Sequence, residues 1–284
     1  MSERFKKLFT SFNVLFWLLP FAIFMLGAQV IDPHDSFNSL MVDYAAILGT
    51  LSQIIMILFT AKVFNIDLPK FIKLENPHFL FVLKIFFITH LLLSLPNLFY
   101  CVTNYQIIVK FFTEDIFSIN LLDIFQKPVY EWRFLGFTSL LTAPIVEEII
   151  FRLYNYNPMR NHSLRNGGGV VKPIIVSSIY FALYHIFIYG FNMAYLVPIG
   201  FIGIALAYTY EKTKILWSSI LLHFLWNVSV LVYRSLVNPL NVIFDMIVSV
   251  IGLIVCVIIL ITYLTKRRKQ SDTIPTDSVP DTQE

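Results

Sequence analysis

Between Leu141 and Tyr154 the sequence reads LTAPIVEEIIFRLY, two adjacent glutamates and an arginine set in a run otherwise suited to lipid. A carboxylate at membrane depth costs at least about 2.5 kcal/mol unless it faces water or a partner. Every backbone N–H and C=O at that depth must also be bonded within the protein. Such a segment can fold only as a helix whose polar side is turned into a bundle. Glu148 and Arg152 are spaced i,i+4 and can neutralise each other on one helix face. That leaves Glu147 over, and an intramembrane carboxylate with no counter-ion of its own is a candidate functional group.

The rest of the chain agrees with a membrane setting. Hydrophobic residues make up 57% and charged residues 14% of 284, with a mean hydropathy of +0.72, the balance of a polytopic membrane protein. The net charge of +3 gives no ground for a nucleic-acid partner. Cys101 and Cys256 make neither a disulfide framework nor a metal cluster. Apolar runs long enough to span a bilayer fall at about 12–31, 44–64, 79–102, 134–154, 173–189, 194–210, 215–233 and 242–264. The first is long for a signal-peptide core and no small-x-small cleavage site follows it, so it is read as a span. The predicted fold is therefore all-α, a bundle of eight transmembrane helices. Pro20, Pro96, Pro144 and Pro198 lie inside spans, where neighbouring helices can satisfy the carbonyls they release.

Basic residues test the number of spans. With eight, 16 Lys and Arg fall on one side, and only Lys110, Lys127, Arg133 and Arg234 on the other, with Lys84 inside the third span. That asymmetry predicts both termini in the cytoplasm, of a bacterial plasma membrane if the Phe- and Ile-rich composition reflects an A/T-rich genome. Between 103 and 133 apolar and charged residues mix as in an interfacial amphipathic helix, reading as a lid or rim. The inner connection 155–172 holds Gly167, Gly168 and Gly169 and reads as flexible. The polar stretch after Lys269, with two prolines, reads as disordered. The organisation is then 1–133 with three spans and the outer loop, 134–233 as a core of the fourth to seventh spans, 234–265 as a last span, and 266–284 as a tail.

Two further constellations lie in that core. Phe181 and His185 stand one turn apart on the fifth span, and His223 and Asn227 one turn apart on the seventh. A lone membrane histidine is often only an interhelical hydrogen-bond partner worth about 0.6 kcal/mol. Together the three helices supply a base, a second proton-handling group and hydrogen-bond donors, enough to hydrolyse an amide. Lys84, His90 and Asp245 are given no catalytic role: Lys84 can snorkel and Asp245 lies near the outer end of its span.

The three motifs, EExxxR at Glu147, Glu148 and Arg152, FxxxH at Phe181 and His185, and HxxxN at His223 and Asn227, resemble in order the motifs of the CPBP (Abi) family of intramembrane proteases, related to the Ras-converting CAAX prenyl endopeptidase. The resemblance covers about 134–233. It implies a peptidase of the membrane interior in which Glu147 and His185 activate water and His223 and Asn227 stabilise the oxyanion, with Glu148 and Arg152 in support. Its substrate would be a membrane-embedded or prenylated peptide or protein within the bilayer. No cofactor is firmly predicted. Glu147, His185 and His223 could form a three-ligand zinc site with an open position, but no HExxH is present, which ranks metal second.

At 1.5 Å per residue Glu147 lies about 10 Å from the cytoplasmic end of its span, His223 about 12 Å, and His185 about 18 Å if its helix begins at Pro173. They must nearly meet to share a water, so this estimate conflicts with the site. The readings that compete with a peptidase are a non-catalytic membrane partner, such as a bacteriocin self-immunity protein, and a transporter. The transporter is disfavoured because no inverted repeats with paired broken helices are visible. The substrate's identity and the oligomeric state are not legible. Reporter fusions at Ser36 and Ser278 test the eight-span topology: they should report opposite sides, and a common side would refute it.

Overall fold

The computed structural model describes residues 51, 54–55, 57–59, 61–62, 67–72, 75–103, 105–110, 140, 142–236 and 240–271. The first predicted span, most of the outer amphipathic loop and the tail beyond Ser271 lie outside them. The protein is a polytopic helical membrane protein, and its described residues contain no strand. The helices are α1 (Leu68–Ile72), α2 (Phe79–Thr103), α3 (Tyr105–Lys110), α4 (Ala143–Glu148), α5 (Asn157–Arg165), α6 (Val171–Tyr184), α7 (Ile186–Tyr189), α8 (Met193–Thr213), α9 (Leu216–Ser235) and α10 (Leu240–Ser271). Residues 193–213, 216–233 and 243–266 are long and apolar enough to cross a bilayer, and 79–95 and 171–184 are shorter apolar helices.

The centre of the fold is the helix that carries the glutamates. Pro144 stands in the first turn of α4, where its missing N–H costs no hydrogen bond. From Ile149 to Tyr156 the chain winds as a π-helix, ending with the Asn157 N–H on Arg152 O, five residues back. Its residues Ile149 to Tyr154 and Tyr156 are buried, so it has no lipid or solvent face and its neighbours pack around it. Widened helical turns of this kind recur at functional sites, because they re-aim side chains.

The helix does not stop at Tyr154 as the apolar run suggested. It continues through α5 to Arg165, 11 residues further and roughly 16 Å at the usual rise. It stops in a Schellman turn: Gly167 takes φ +72°, Gly168 N–H donates to Ser163 O at 2.8 Å and Gly167 N–H to Leu164 O at 3.1 Å. The glycines read as a flexible connection are thus a helix cap. Glu211 at the end of α8 ties this extension down, accepting from Arg160 at 2.6 Å and Tyr156 at 2.7 Å and pairing with Lys214.

α6 shows how lipid and core divide one helix. Val171, Ile175, Ile179 and Leu183 recur every four residues and are exposed, whereas Ile174, Ser177, Ser178 and Phe181 face inward. The inward face lies against α8, where Gly203 permits the approach: a Cβ there would stand 3.2 Å from both Phe181 and Ser178. One turn earlier a Cβ at Gly200 would meet only Ala182, at 3.8 Å. Gly203→Val should therefore destabilise the protein by about 1–3 kcal/mol through overpacking, while Gly200→Ala leaves it unharmed. Thermal unfolding in detergent checks this, and equal midpoints for both variants would refute the close-packing account.

Candidate active site

Glu148 is fully buried, and so is Arg152. Arg152 Nε donates to Glu148 Oε2 at 2.7 Å and Nη2 to Oε1 at 3.4 Å, the i,i+4 pair that the sequence suggests. The carboxylate has two further partners. Ser219 Oγ donates to Oε2, and His223 Nδ1 lies 3.1 Å from Oε1. A carboxylate held by an arginine can only accept, so Nδ1 of His223 carries its proton toward Glu148.

The same logic fixes His185. It ends α6, where the helix is interrupted before α7, and its Nδ1 lies 2.8 Å from Phe181 O. A carbonyl cannot donate, so here too Nδ1 carries the proton. Both rings then turn Nε2 the same way. His185 Nε2 lies 3.9 Å and His223 Nε2 3.8 Å from Glu147 Oε2. That oxygen is buried and has no hydrogen-bond partner among the described residues.

A buried carboxylate oxygen left unmatched is costly, and the two spacings are too long for direct hydrogen bonds. They suit one water in contact with all three groups. The donors named as zinc ligands are thus brought together, but some 0.5 Å further apart than the roughly 3.3 Å edge that a tetrahedral zinc site with 2.0–2.1 Å bonds requires. Among the described residues no group of three His, Cys, Asp or Glu side chains could hold a metal ion.

Phe181 packs this machinery. Its ring lies 4.8 Å from the His185 ring and 5.6 Å from that of His223, with the Arg152 guanidinium 5.7 Å over it. Ser177, one turn earlier on α6, accepts from Arg152 Nη1 at 3.3 Å and donates to Phe151 O at 3.3 Å within the π-helix. Asn227 stands one turn beyond His223 on α9 and is partly buried. The depth estimate from sequence does not hold, since His185 and His223 both come within 3.9 Å of Glu147, and the Glu147 helix runs on to Arg165, so the end of the apolar run is no marker of where that helix ends.

Ser219 and Ser177 were not singled out from sequence. Each precedes a motif residue by four, Ser219 before His223 and Ser177 before Phe181, which puts it on the same helix face. That spacing was the available signal.

Glu148→Gln should leave Arg152 as a buried unpaired charge and cost about 3–5 kcal/mol, lowering yield and thermal midpoint. Glu147→Gln breaks no hydrogen bond that Oε2 makes among the described residues and should keep the midpoint. Equal midpoints would undo this division between scaffold and chemistry.

Residues 130–229 match the family model described as Type II CAAX prenyl endopeptidase Rce1-like. No curated protein and no solved structure matches the chain. The matched segment contains Glu147, Glu148, Arg152, Phe181, His185, His223 and Asn227. Over that segment the chain is similar to the Rce1-like family, in line with the resemblance that its three motifs carry.

Proposed function

We propose that the protein is an intramembrane endopeptidase that hydrolyses a peptide bond in a membrane-associated or prenylated substrate. The observation that carries this reading is the partnerless Glu147 oxygen facing two histidine nitrogens. A scaffold or immunity protein has no need to keep such an oxygen buried, and could replace it with an apolar group at a gain in stability.

The chemistry follows from the proton positions. A water lying between Glu147 Oε2 and the two Nε2 atoms meets three acceptors but has only two protons to give. Contact with all three requires a second ring proton on one histidine. His223 lies between two carboxylates, Glu147 and Glu148, so a positive ring there is compensated on both sides. Among the described residues the polar groups against the His185 nitrogens are one carboxylate, that of Glu147, and a backbone carbonyl. In this reading neutral His185 and Glu147 draw a proton from the water as its oxygen attacks the carbonyl carbon. The C=O electron pair moves onto oxygen, which accepts from Nε2–H of protonated His223 and from the Asn227 amide. Collapse re-forms the C=O bond and breaks the C–N bond. Glu147 passes the proton it took to the leaving amine, and the site returns to its starting state. Oxyanion donation by His223 thus requires the doubly protonated ring, since the neutral ring has its only proton on Nδ1.

The test uses full-length protein in proteoliposomes and a fluorogenic farnesylated peptide as probe. Glu147→Gln should abolish turnover, and Asn227→Ala should lower it about 10²- to 10³-fold without abolishing it, the usual cost of one oxyanion donor. Wild-type turnover by Glu147→Gln would sink the assignment. Metal analysis separates the zinc alternative, because one zinc per chain with chelator-sensitive turnover would keep the peptidase and overturn the donor roles of His223 and Asn227.

A further inference from the structure

A second polar cluster is buried where α2, α9 and α10 meet, and its polar members lie outside the segment that matches the protease family. Asp245 Oδ1 accepts from His90 Nε2 at 2.8 Å and from Ser94 Oγ at 2.9 Å. His90, Ser94 and Asp245 are 5%, 4% and 7% exposed. Nε2–H donates to the carboxylate, and the remaining nitrogen, Nδ1, is buried with no hydrogen-bond partner among the described residues. The backbones of α2 and α10 nearly touch beside this cluster: a Cβ on Gly252 would stand 2.5 Å from Phe87 O.

Stability alone is a weak reason for such a cluster. An interhelical hydrogen bond in a membrane contributes about 0.6 kcal/mol on average, and an apolar pair would leave no stranded nitrogen. What the hydrogen bond supplies is direction, since it fixes the plane of the His90 ring. That plane is the surface on which Trp226 lies, with ring centres 5.5 Å apart and planes 21° apart. Phe86 meets the same indole edge-on at 5.5 Å, so Trp226 is located by two side chains of α2. Trp226 follows His223 by three residues on α9.

We propose that His90 and Asp245 are positioning residues for the His223–Asn227 half of the site, acting through Trp226. Their effect on turnover rests on the peptidase reading above. The lever is short. Turning α9 by about 10° moves a side-chain tip some 6 Å from its axis by about 1 Å, and a displacement of that size can cost up to about 10²-fold in rate. The hydrogen-bonded ring plane supports the indole by direct contact, and the indole shares α9 with the imidazole one turn away, so the line of support runs from a helix outside the family segment to the proposed reacting groups.

The experiment compares Asp245→Asn, His90→Phe, Trp226→Phe and the Asp245→Asn/Trp226→Phe double variant as full-length protein. Turnover of the fluorogenic farnesylated peptide is measured alongside ¹⁵N NMR of histidine-labelled protein in micelles, with His223 assigned by its own substitution. His90→Phe keeps a ring on the indole but loses the bond that orients it. For each single variant kcat should fall about tenfold with KM within about twofold, and the thermal midpoint of Asp245→Asn should stay close to wild type. The double variant should be no slower than the slower single variant. The His223 ring resonances should move in Asp245→Asn. Wild-type kcat in both Asp245→Asn and His90→Phe with unmoved His223 resonances would overturn the proposal, as would a double variant showing the product of the two losses. If the wild-type protein itself leaves the peptide uncleaved, the peptidase reading fails separately. The His223 resonances then decide alone, a shift supporting the positioning role and no shift overturning it.

Discussion

Glu148 carries more of this structure than any other side chain near the site. Its two oxygens bind Arg152 from the same helix turn, and Ser219 and His223 from α9, with no exposure to share the load with solvent. A buried ion pair gains little net stability by itself. Here the pair is completed by hydrogen bonds from a second helix, which fixes both the approach of α9 to the glutamate helix and the face that His223 turns to Glu147. Orientation is what such a network provides: a carboxylate on Nδ1 leaves Nε2 turned to Glu147.

Glu147 and Glu148 are adjacent in sequence and opposite in situation. One is saturated with partners and the other has an oxygen with no hydrogen-bond partner among the described residues. Successive residues on a helix diverge by about 100°, so the saturated carboxylate can face α9 while its neighbour looks into the gap between His185 and His223. The π-helix begins directly after the pair, and Ser177 from α6 bonds to one of its carbonyls. The local winding is therefore held by the same helix that ends in His185, and the scaffold and the chemistry share their supports.

Much of the site was legible because i,i+4 spacing is a geometric statement within any one helix. It placed Glu148 with Arg152, Phe181 with His185, and His223 with Asn227. It could not say which helix each pair would meet. The bond from His223 to Glu148 crosses between helices, and nothing local to either motif announces it. His90 and Asp245 show the same limit more sharply: 155 positions separate them, and each alone reads as an isolated polar residue in a span. The π-helix left no pattern, since its residues are buried on every side and so show no face. The extension to Arg165 did leave signals, with His162 and Arg165 in its last turn and Asn166-Gly167 at its end. They were outweighed by the end of the apolar run, which marks where lipid stops and not where a helix does.

The account stands on the proton positions of two rings. ¹⁵N NMR of histidine-labelled protein in micelles measures them, with His185 and His223 assigned by substitution. At a pH where the rings are neutral, both should carry the proton on Nδ1 and show an unprotonated Nε2. Glu148→Gln should disturb that pattern at His223 and leave His185, which bonds to Phe181 O, unchanged. Protonation of neutral His223 on Nε2 in the wild-type protein, or a His223 pattern indifferent to the loss of the Glu148 carboxylate, would contradict the account.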